Sequence, residues 1–175
     1  MNRFWCASHV SMALTLSLAS GPILASTGGK ASSAEDKARF VSITRNLDEA
    51  PFAPNAKADR AWAVDWLAEA PDVSVTACLD PLGHVDNDKY AYGAEIVVQY
   101  MFEMGAFVIQ HPETSQDMPK QQLAGVEGAL KTYRSILRDR PDAQSPALDK
   151  LLEIRARGDL PAFVNQAWKK CQADK

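Results

Sequence analysis

Residues 88–110 read DKYAYGAEIVVQYMFEMGAFVIQ, and wound into a helix this stretch is apolar on nearly every side. Ile96, Val97, Val98, Met101, Phe102, Met104, Phe107, Val108 and Ile109 cover it all round, a pattern that belongs inside a core or a membrane. Glu95, Gln99 and Glu103 fall at steps of four, and Asp88 and Tyr92 extend the same polar stripe. Two carboxylates in hydrocarbon would be costly. The stretch therefore predicts the buried central helix of a soluble bundle, closed by His111-Pro112.

Helices are predicted on both sides of it. Ala34–Glu49 is capped by Ser33, carries Glu35 and Asp36 at the positive end of its dipole, and repeats Phe40, Ile43 and Leu47 at helical spacing before Pro51 and Pro54. Lys57–Glu69 places Trp62 and Trp66 four apart on a face expected to be core. Residues 72–78 alternate Val73, Val75 and Ala77 as a strand would, but no second strand is evident to pair with them. A short helix or an extended connector is the better expectation. A long helix from Pro119 to about Arg140 carries the seam Leu123, Val126, Leu130, Tyr133 and Leu137. Gly125 and Gly128 weaken it unless another backbone comes close, and Gly93 and Gly105 are the candidate partners. Ser145-Pro146 opens a helix lined by Leu148, Leu151 and Leu152 that Gly158 stops. Asp159 caps the last helix, with Val164, Ala167, Trp168 and Cys171 on one face. The sum is an all-α, single-domain bundle of about six helices over residues 34–175.

The first 25 residues read differently. Arg3, the apolar run Val10–Leu18, Gly21-Pro22 and the small residue Ala25 form the pattern of a secretory signal peptide, too short in its apolar part to span a bilayer. Residues 26–33 are small and polar, a flexible lead-in. The expectation is a periplasmic or secreted protein with no stable membrane span once the signal is removed. Cys6 leaves with the signal, so Cys78 and Cys171 remain as a disulfide pair suited to an oxidising compartment. Without Arg3, 18 basic side chains face 22 acidic ones, a net charge near −4. With no basic cluster, the chain lacks the electrostatic footprint of nucleic-acid binding.

Two constellations could carry chemistry. Glu95 and Glu103 could act as an acid/base pair, since burial raises a carboxyl pKa. Di-iron bundles take such ligands with Glu-x-x-His motifs, and neither glutamate has a histidine three residues on. The plainer reading is a solvated or hydrogen-bonded helix face. The second constellation is His84, Asp86 and Asp88, with Asp80 and Asn87 nearby. Counted from Asp86, the glycine and distal glutamate that a calcium loop requires are Ala91 and Val97, and one histidine is too few nitrogen ligands for zinc. Turn and cap chemistry before a long helix explains these residues better than a metal site. No phosphate loop, nucleophile elbow or zinc-protease pair occurs, so no cofactor is expected.

The segments Trp62–Cys78, with Pro71-Asp72-Val73, and Gln122–Leu130 (QLAGVEGAL) resemble stretches in a group of exported bacterial proteins of unknown function. The resemblance spans most of the chain after residue 25 and brings no catalytic residues with it. The function expected from the residues is a non-enzymatic module that binds a protein or a small ligand. The alternative is a cell-envelope hydrolase using Glu95 and Glu103 as acid and base.

Overall fold

Six α-helices make up the bundle in the computed structural model, which describes residues 31–173 except 84 and 86–89. The expected signal peptide and the proposed ligands His84, Asp86 and Asp88 lie outside the described residues. Among those described there is no strand. Among the same residues no helix is long and apolar enough to cross a membrane.

Helix α1 spans Ala34–Glu49, and Ser33 caps it by accepting from the Asp36 N–H. Helix α2 spans Ala56–Glu69, α3 Gly93–Gln110, α4 Met118–Asp139, α5 Pro146–Ala156 and α6 Leu160–Ala173. The central helix starts at Gly93 rather than Asp88 because Tyr90 and Tyr92 are anchored as a turn. The Tyr90 hydroxyl donates to the Ala143 carbonyl and its ring meets Tyr133 edge-on, while Tyr92 packs on Phe52.

The all-round apolarity of α3 has a direct cause: the helix is sandwiched between two cores. Ile96, Tyr100 and Met104 pack with Val126, Ala129, Leu130, Tyr133 and Ile136 of α4, and with Leu148, Leu160 and Val164 behind them. Phe102 and Ala106 face the other way, into Phe40, Ile43 and Leu47 of α1 and Ala63 of α2. Trp62 and Trp66 stand at the rim of this second core rather than inside it. Their rings stack 6.1 Å apart, Trp66 leans on Phe40, and the guanidinium of Arg39 covers Trp62 at 3.9 Å. Burying both indoles would have left their N–H groups to be satisfied, whereas a rim position keeps the contact area and leaves the polar edge near water.

The two glycines of α4 do bring the helices close, but they admit side chains from α3 and not its glycines. A Cβ on Gly125 would lie 2.6 Å from the ring of Tyr100 and 2.9 Å from Met104 Cγ. A Cβ on Gly128 would collide with Glu103 Cγ outright. Gly105 instead makes room for Phe40 and Leu67.

Residues 71–79 form an extended connector between α2 and a 3-10 turn at Asp80–Leu82. Lacking a strand partner, the connector is held by side chains. The fully buried Tyr100 hydroxyl donates to the Cys78 carbonyl at 3.0 Å, accepts from the Cys78 N–H at 3.2 Å, and meets Gln122 Oε1. Gln122 in turn donates to the Thr76 carbonyl. Cys78 is bonded to Cys171, so the connector is also stapled to α6, 93 residues further along the chain.

Candidate functional site

The polar stripe of α3 turns out to be a hydrogen-bonded face directed at α1 and α4. Gln99 is 2 % exposed, and its side-chain amide donates to the Thr44 carbonyl and to Asp48 Oδ1, both at 2.8 Å. Asp48 is 1 % exposed and sits in the last turn of α1, where the helix dipole disfavours an anion. Such a placement needs compensation, and three donors supply it. Besides Gln99, the Thr132 hydroxyl donates to Oδ1 at 2.9 Å, and Lys131 reaches Oδ2 at 3.1 Å. Donors on three sides match the acceptor-only oxygens of a carboxylate.

Glu103 is the fifth member. Its side chain lies in the space that Gly128 leaves open, against the Asp48 carboxylate. Burial, and then the neighbouring Asp48 as hydrogen-bond partner and like charge, push its carboxyl up to about 8. Lys131 and Gln99 act in the opposite direction. Two carboxyl groups brought together in a buried place cannot both ionise readily, so the charged form of Glu103 is disfavoured there.

This pair opens on a concave pocket of about 290 Å³ between α4 and α5. Lys131 and Arg134, three residues apart on α4, supply two cations. Arg155 of α5 supplies a third and is ion-paired with Glu127. The pocket thus combines an acid pushed towards its neutral form, a buried acceptor and a charged rim within one small volume. A second groove, about 450 Å³, runs between α2, residues 70–75 and α3, but Val64, Leu67, Val73, Met101 and Phe102 make it apolar and no titratable side chain lines it.

The two glutamates singled out in the sequence separate. Glu103 lines the pocket, whereas Glu95 is half-buried two turns away, near enough to Arg60 to favour its cation, and is not among the lining residues. His111 is an exposed loop residue 3.9 Å from Glu113. Among the described residues no group of His, Cys, Asp and Glu side chains could hold a metal ion.

Asp48, Thr132 and Lys131 were not among the sequence candidates, and Gly128 was singled out there only as a packing glycine. A signal for Asp48 was present: Phe40, Thr44 and Asp48 follow each other at steps of four, so an acid continues the face that Phe40 buries. No protein-family model, curated protein or solved structure matches the chain.

Proposed function

We propose that the chain is an exported helical binding module that holds a small ligand in the pocket over Asp48, Glu103 and Lys131. The observation that carries this reading is the convergence of buried polar groups from α1, α3 and α4 on one concave opening. A fold that needed these positions only for stability would fill them with apolar side chains, since an ion pair removed from water seldom outweighs a packed hydrocarbon. A few polar groups converging in a cleft are what fixes the orientation of a small molecule in its site. Export is supported by the N-terminal pattern of residues 1–25 and by the Cys78–Cys171 bond, which suits an oxidising compartment.

A ligand of any small-molecule class can be located by the same titration. Amide resonances of the ¹⁵N-labelled chain are followed while a defined mixture of amino acids, sugars, small organic acids and nucleosides is added. Shifts gathered on Asp48, Glu103, Ala124–Lys131 and Arg155 are the expected result. Shifts gathered on the apolar groove at Val64–Val75, or none at all, would overturn the reading.

One observation favours a second reading, a hydrolase acting on cell-envelope material. A carboxyl that keeps its proton at neutral pH is what a general acid requires. In that case Asp48, rather than Glu95, is the second carboxyl. Eight helical residues separate Glu95 from Glu103, about 12 Å along the axis, whereas Asp48 adjoins Glu103, so the two would work as a proton-sharing dyad and not as the separated acids of glycoside hydrolysis. Hydrolysis of envelope polymers that disappears in Glu103→Gln would decide for this reading.

A further inference from the structure

The charged rim of the pocket is unevenly committed. Lys131 is held by Asp48 at 3.1 Å, and Arg155 is held by Glu127. Arg134 lines the same pocket, is exposed, and makes no hydrogen bond or ion pair with another described residue. Asp48 and Glu127 thus offset Lys131 and Arg155, while burial and the neighbouring Asp48 disfavour the charged form of Glu103. One positive charge, that of Arg134, is left without an answer inside the pocket.

We infer that the ligand is a small molecule presenting a single carboxylate, which the guanidinium fork of Arg134 takes with Lys131 beside it. This rests on the binding reading above and adds the chemistry of the ligand to it. A planar guanidinium matches the two oxygens of a carboxylate, and each of the paired bonds is charge-assisted. A phosphate dianion fits less well, because it would bring two charges to a surplus of one and place them against Glu127 and Asp48. The volume of about 290 Å³ lies at the lower edge of small-molecule pockets, which points to a compact solute.

The probes are glycolate and lactate, set against glycolamide and lactamide of the same shape and against inorganic phosphate. All are titrated into the labelled chain at an ionic strength of about 0.15 M, so that diffuse attraction is screened. The expected result is saturable shifts on Ala124–Lys131 with affinity for the acids at least tenfold above that for the amides and phosphate. Arg134→Gln should erase that preference with the unfolding midpoint unchanged, since the side chain holds nothing else in the fold. Amides or phosphate binding as tightly as the acids would overturn the inference and leave a binding pocket in place. A preference that survives in Arg134→Gln, or acids that leave these resonances unmoved, would also overturn it. If the broad mixture perturbs the apolar groove instead, the binding reading itself falls, whatever the acids do.

Discussion

Replacing Cys78 and Cys171 together with alanine is expected to lower the free energy of unfolding by about 4 kcal/mol. The bond closes a loop of 93 residues, and a loop of that length is what the unfolded chain gains most from reopening. A second effect acts on the native state. The connector at residues 71–79 has no strand partner and depends on Tyr100, Gln122 and the staple to α6. Urea unfolding of the double variant against the parent chain checks this, and a difference below about 1 kcal/mol would show that the side-chain bonds alone hold the connector.

Asp48→Ala is expected to cost a further large amount, about 3–5 kcal/mol, the range for breaking a buried ionic cluster from one side. The loss is not that of one contact. Gln99 would be left with the Thr44 carbonyl alone, Thr132 would lose its acceptor, and Glu103 would lose a polar partner. Asp48→Asn keeps one acceptor oxygen and is expected to cost less than half as much. Equal, small losses in the two variants, read by the same urea titration, would mean that the cluster is not dry enough to matter.

How far the sequence revealed this arrangement depends on what each residue's neighbours could say. The limits of α1 followed from Ser33, the acidic first turn and Pro51, which are all local signals, and the structure has the same bounds. The buried character of α3 followed from its composition, because no single-sided face could use so many apolar residues. The two cores on either side of it did not follow, since periodicity reports that a residue is buried and not against what. Gly125 and Gly128 announced a close approach, but a glycine does not name its visitor, and the visitors proved to be Tyr100, Met104 and Glu103. The site was half legible. Glu103 was visible as an acid on an apolar helix. Asp48 was hidden at the end of α1, where an acid reads as a solvated helix terminus until α3 and α4 close over it. The Cys78–Cys171 pairing was legible by count alone, once Cys6 was assigned to the leader.

Whether Glu103 holds a proton beside Asp48 beneath the pocket is read out by the dependence of stability on pH. The folded chain keeps that proton up to about 8, whereas an unfolded glutamate releases it near the usual 4.5. Between these limits the native state binds one proton more than the unfolded state, so the stabilisation is complete below about 4.5 and is lost as pH rises through about 8. Its slope is at most about 1.4 kcal/mol per pH unit. Glu103→Gln cannot ionise and lacks this slope. Urea unfolding of both proteins from about pH 5 to 9 is therefore predicted to show the variant gaining a few kcal/mol on the parent as pH rises, with the gap levelling off near pH 8. Two parallel curves across that range would contradict the claim, because they would mean that Glu103 has already given up its proton in the folded protein at about pH 5.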